Sequence, residues 1–259
     1  MAEKDYVQET VKALSSEQKA ELHSSKSSTY SDVTTLAAVD QFTPGRKLSI
    51  NSQGISVIRL PLPSSELKIT VIDSDGKIAY VSTRHSKRSG NCVLSNPERG
   101  DLIATEYRFG PGRDPKMVLL PSYFKEADTV KETEIKTTSR WTSRSQSFLL
   151  PDGKVFEWRY AKYKAQDGTT SVQLVLQEKR EGALGRTVAV LVRNEETRTP
   201  RSSKSSAGNG GQLILDSSSS SILDESVIVA SCLLMLKKEV DRRRGIQSMA
   251  LGAMASGGS

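Results

Sequence analysis

Two cysteines, Cys92 and Cys232, and two histidines, His23 and His85, are all that this 259-residue sequence offers for thiol or imidazole chemistry. The cysteines are too few and too far apart for the disulfide framework of a small secreted domain. The four residues share no spacing that would gather them around one metal ion. Aromatic residues are scarce at 5%, and a hydrophobic fraction of 36% is low for a chain folded from end to end. Part of it is therefore expected to stay disordered, because too little apolar surface is available to offset the entropy of ordering. No apolar run reaches the ~20 residues of a membrane-spanning helix. The opening Met1-Ala2-Glu3-Lys4-Asp5-Tyr6 is acidic, with no apolar stretch behind it, unlike a secretory leader or a mitochondrial presequence. The expectation is an intracellular protein, cytoplasmic or nuclear, without a transmembrane segment.

What the sequence does have is an excess of cations: 37 Lys and Arg against 30 Asp and Glu, a formal charge of +7. That balance permits attraction to an anionic phospholipid surface or nucleic acid without requiring either.

Residues 1–44 read as a mostly disordered polar arm with a short helix marked by Tyr6, Val7, Val11 and Leu14. A folded domain is expected over 45–246. Ile55 to Leu60 is β-branched and strand-like, and Pro61-Leu62-Pro63 ends it. Leu67–Ile72 and Lys77–Val81 flank Asp73-Ser74-Asp75-Gly76, a strong hairpin pattern. Asn91–Leu94 and Leu102–Tyr107 form a second pair around Asn96-Pro97-Glu98-Arg99-Gly100, and Met117–Leu120 follows. Thr133–Arg144 leads to another hairpin, Ser147–Leu150 and Val155–Tyr160, around Pro151-Asp152-Gly153-Lys154. Gln173–Gln177, Val188–Val192 and Gln212–Leu215 complete the set. Short strands with regular turn signals predict a barrel or sandwich. Segment 198–211, rich in Ser and Gly, reads as a flexible loop, Ser217–Ser221 as a polar spacer, and 247–259 as a disordered tail.

One helix is predicted, over 223–244. Asp224 or Ser226 can cap it, and Val227 to Leu236 is apolar around nearly its whole circumference. Lys237, Lys238, Arg242, Arg243 and Arg244 follow where the helix dipole favours cations, and Gly245 suits a stop. An all-round apolar helix too short to span a bilayer must be enclosed by protein. The strands are the only surface available to enclose it. The fold class is thus mainly β, a closed barrel of about 10–12 antiparallel strands around a hydrophobic C-terminal helix.

That layout resembles the superfamily of the tubby C-terminal domain, the phospholipid scramblases and the plant LURP-one-related proteins. The hairpins 68–81 and 148–160 and the helix 227–244 carry the likeness. Phe156-Glu157-Trp158-Arg159-Tyr160, Arg193–Thr199 and Leu234–Arg244 are similar to segments of uncharacterised filamentous-fungal proteins with such a domain. The resemblance covers residues 48–244 and implies a barrel of about twelve strands around a central helix. It brings no site with it: the basic phosphoinositide pocket of tubby maps onto no particular positions here.

The residues of chemical interest each have a structural reading beside a functional one. Phe156, Trp158 and Tyr160 share one face of a strand, with Glu157, Arg159 and Tyr163 on the other. Aromatics among cations can stack nucleic-acid bases. The same alternation fits a barrel wall with Phe156 and Trp158 inside and Arg159 in solvent, as in half-buried strands. Lys237, Lys238, Arg242, Arg243 and Arg244, with Arg159 and Lys162, are the candidate contacts to an anion or lipid headgroup. Arg140, Arg144 and Lys164 extend the patch if the strands converge. Asp73-Ser74-Asp75-Gly76 lacks the later acidic ligands of a calcium loop, and Ala207–Gly211 lacks the Lys-Ser/Thr of a phosphate loop. No nucleophile elbow accompanies the many serines. Cys232 reads as a small core residue. The sequence therefore favours a non-enzymatic binding or scaffolding module, with no catalytic residues and no cofactor, engaging anionic phospholipid or a protein partner. Nucleic-acid association and a purely structural role are the alternatives.

Overall fold

Apolar and polar residues alternate along the short runs, so each strand has one face to bury, and the strands bury those faces by closing into a ring. The computed structural model describes residues 34–35, 42–57, 66–110, 112–124, 133–138, 143–164, 170–180 and 183–256. Its strands are β1 (Thr34–Thr35), β2 (Pro44–Asn51), β3 (Lys68–Asp73), β4 (Ile78–Thr83), β5 (Cys92–Asn96), β6 (Gly100–Glu106) and β7 (Lys116–Leu119). Then come β8 (Glu134–Thr138), β9 (Gln146–Leu149), β10 (Val155–Lys164), β11 (Thr170–Arg180), β12 (Ala183–Val192) and β13 (Gln212–Asp216). A single long helix, α1 (Glu225–Ser256), follows.

Strands β2 to β13 form a closed antiparallel barrel of twelve strands. Every strand pairs with its neighbours in sequence except at one seam, where β13 lies against β2 with Leu213 opposite Leu48. β1 is a two-residue addition, parallel to β10 and outside the ring. Closure leaves no bare sheet edge and makes a lumen that must be filled.

Helix α1 fills it. Asp224 caps its first turn by accepting the Ser226 amide at 2.8 Å. Every residue from Ser226 to Leu236 is buried. Leu48, Val71, Leu102, Met117, Ile135, Phe148, Phe156, Leu174, Leu191 and Leu213 supply inward side chains from the strands. Each enclosed Val, Ile or Leu contributes about 1.5–3 kcal/mol. The one polar break in this contact is satisfied: Trp158 Nε1 donates to Ser231 Oγ at 2.9 Å, and that hydroxyl donates to the Ile228 carbonyl at 3.0 Å. Cys232 is fully buried, as expected of a core residue.

Two expectations about the chain's course are corrected. The helix does not end at Arg244 but runs on to Ser256, through Gly245 and most of the segment read as a tail. A glycine inside a helix costs about 1 kcal/mol but does not terminate it, and the residues beyond Gly245 include good helix formers. Segment 198–211, read as a flexible loop, stays exposed only in part. Thr199 and residues 207–211 are buried against β2 and the helix, and Ala207 pairs with Ile55. Glycine was taken there as freedom; it serves as clearance. A Cβ on Gly208 would lie 2.3 Å from Val240 Cγ2 and 2.6 Å from the Leu236 carbonyl oxygen. Beyond Ile55, the strand expected over 55–60 falls mostly outside the described residues, as do nearly all of the N-terminal arm and residues 257–259.

Candidate functional site: the barrel mouth

The meander puts alternate connections at opposite ends. Strands β2, β4, β6, β8, β10 and β12 all end where α1 leaves the lumen, here called the mouth. The other end, the floor, holds the helix cap and the tight turns. Its turns carry both signs, Asp73, Asp75, Asp152, Asp224 and Glu225 beside Lys77, Arg99, Lys154 and Arg180. Glu225 accepts from Tyr80 at 3.0 Å and pairs with Arg46 at 3.3 Å.

The mouth is built around one ion pair. Arg193, just past β12, meets Glu239 of α1 at 2.8 Å, with 15% of each side chain exposed. Tyr160 donates to Glu239 and accepts from Arg193 at 3.1 Å, and the Gly208 amide donates to Glu239 at 2.9 Å. Burial alone would push the Glu239 carboxyl up, but Arg193, Tyr160 and the Gly208 amide together hold it below the usual carboxylate range. Burial and the neighbouring Glu239 push the Tyr160 phenol well above its ordinary value.

The helix cations divide into two groups around this pair. Lys237 and Arg244 both bind Asp241, at 2.6 and 2.9 Å, so their charges are answered within one turn. Lys238 donates to the Ser145 carbonyl at 2.9 Å. Its ammonium pKa is pushed down to about 8, first by burial and then by the like charge of Arg242. Arg243 is likewise held below arginine's usual value by burial and then by Arg144. Arg144 lies 5.9 Å from the centroid of the Tyr160 ring, with Arg193 5.8 Å from the same centroid. Neither Arg144 nor Arg243 takes part in an ion pair among the described residues.

No family model, curated protein or solved structure matches this chain. The reading of the mouth therefore rests on its own geometry.

Two small recesses open between the helix and the wall. One, of about 50 Å³, is lined by Glu66, Ser82, Arg84, Cys92, Lys237 and apolar neighbours. Burial raises the Glu66 carboxyl despite its bonds from the Gln53 amide and the Ser52 hydroxyl. The other, of about 20 Å³, brings Arg108, Arg113 and Lys238 beside Tyr107 and Phe109. Sequence reasoning missed Arg108, Arg113 and Arg193, because only the closed ring shows that their loops share an end with the helix cations. It did name Arg144, on the condition that the strands converge, and Arg144 lies beside Arg243 and the Tyr160 ring, whereas Arg140 lies outside the described residues.

The remaining candidates are placed as follows. Lys162 shares the inward register of β10 with Trp158 and Tyr160 and lies toward the mouth. Arg159 does not belong to the mouth, and it is not in solvent either. It sits on the outer face of the wall, 8% exposed, donating to Gln177 at 2.7 Å, and Gln177 donates to Thr187 at 3.0 Å. Ala161, Val175 and Val190 pack beside Phe42 in a separate apolar cluster. A second buried layer outside the wall, invisible in strand alternation, is the physical reason for that correction. Phe156 and Trp158 are fully enclosed, which removes them from any base-stacking surface. Among the described residues no group of His, Cys, Asp and Glu could hold a metal ion, and no helix is long and apolar enough to cross a membrane.

Proposed function

We propose that this protein is a non-enzymatic binding module whose barrel mouth engages anionic phospholipid headgroups. The observation that carries the reading is the pair Arg144 and Arg243. Arg144 opposes the charge of Arg243, lies 5.9 Å from the centroid of the Tyr160 ring, and neither arginine forms an ion pair among the described residues. Like charges kept together favour an anion beside them, and the carboxylate that acts on Arg243, Glu239, is already bonded to Arg193. Lys238, Arg108 and Arg113 enlarge the same field around the second recess. The sequence resemblance to the tubby and scramblase superfamily points the same way. Architecture alone is a weak argument for function, so the weight rests on the cations.

Co-sedimentation with vesicles of phosphatidylglycerol in phosphatidylcholine, at low and moderate salt, tests the reading. Binding should require the anionic lipid and weaken with salt. At about 1 kcal/mol per cation near an anionic surface, Arg144→Gln with Arg243→Gln should weaken it about thirtyfold. Equal binding to uncharged vesicles, or none to either, would reject it.

A further inference from the structure

The helix is longer than the barrel that houses it. Thirty-two residues at 1.5 Å make about 48 Å, whereas the ten residues of β10 span about 33 Å before tilt shortens the wall. The excess lies entirely at the mouth. Asp241 is the last buried residue of α1, and each described side chain after it is partly or fully exposed. Residues 242–256 therefore extend about 22 Å past the enclosed section. Arg242, Arg243 and Arg244 ring the base of this overhang, and residues 245–252 beyond them carry no charge. Met249 is 62% exposed, more than any other large hydrophobic residue described. Val57, itself 48% exposed, flanks the overhang through its carbonyl, which accepts from Gln247 Nε2 at 2.9 Å.

We infer that the overhang is an interfacial anchor, inserted shallowly into the anionic bilayer whose headgroups the mouth cations meet. The inference rests on the reading of the mouth as a phospholipid site. Cations at the base and an uncharged tip match the layering of a membrane surface, phosphate outside and acyl chain within. End-on insertion would carry the last carbonyls of the helix into hydrocarbon, so the overhang lies along the interface with the exposed Met249 side chain turned into it.

The test uses the full chain, the same phosphatidylglycerol vesicles, and soluble inositol hexakisphosphate as a headgroup without a bilayer. Met249→Trp should shift its emission to the blue on vesicles and be quenched by lipid brominated on the acyl chain. Met249→Ser, at an exposed site, should weaken vesicle binding about tenfold and leave hexakisphosphate binding unchanged. Unshifted emission from vesicle-bound Met249→Trp, or vesicle binding by Met249→Ser equal to the parent, overturns the anchor while leaving the cation site standing. Failure of the parent protein to bind either hexakisphosphate or vesicles overturns both.

Discussion

Arg193 and Glu239 meet where the helix leaves the lumen, and their low exposure sets the scale of what they do. An exposed pair would contribute about 0–1 kcal/mol, whereas removing one partner of an enclosed pair leaves a charge without water or counterion. Arg193→Met should cost about 3–5 kcal/mol in urea denaturation, and adding Glu239→Leu should recover most of it. The pH dependence has a definite sign. The folded-state pKa of Glu239 is lowered, so its contribution is fully present above the unfolded value of 4.5 and is lost as pH falls through the folded value. In Arg193→Met the isolated carboxyl should titrate higher, so the stability gap to the parent should narrow with acid. A gap constant between pH 7 and 4 would show that Glu239 does not depend on Arg193.

At the scale of elements, the glycine-rich segment before β13 behaves as a wedge between β2 and the helix. Gly208 has φ of +73°, and its backbone approaches Leu236 and Val240 too closely for any Cβ. Gly208→Ala should therefore cost about 2–4 kcal/mol, from left-handed backbone strain and overpacking together. A melting temperature within a degree of the parent would contradict that placement. The hairpins β3–β4, β5–β6 and β9–β10 were legible in the sequence because their turn residues and alternating flanks are local signals. β2 was not, since Pro44-Gly45-Arg46-Lys47 shows no alternation and only Leu48 and Ile50 face the core. What sets β2 in place is its pairing with β13, a partner more than 160 residues away. The cations of the helix were likewise legible as a run. Their division between Asp241, the Ser145 carbonyl and the rim was not, because it depends on which loops share their end of the barrel.

Taken whole, the molecule is uneven along the barrel axis, with both signs of charge at the floor and an excess of cations at the mouth, on the side of the helix overhang. Such an asymmetry would orient the protein on a negative surface before any contact forms. Among the described residues α1 is the element that the inward side chains of the strands pack against, so the wall and the helix should stand or fall together. A chain ending at Asp224 should bind a hydrophobic dye strongly and lose the sharp thermal transition of the parent. Retention of that transition would mean that the strands pack without their helix.

The same arrangement dictates an order of events during synthesis. The helix is translated after all twelve strands, yet it occupies the space that every one of them faces. The seam between β2 and β13 likewise waits for the final strand to emerge. Until then the ribosome holds a string of hairpins whose apolar faces have nothing to cover them. Long-range closure of this kind is slow compared with hairpin formation, and the exposed faces invite association with other chains. The nascent polypeptide is thus at its most adhesive just before the helix emerges, which makes it a natural client for chaperones that act on ribosome-bound chains.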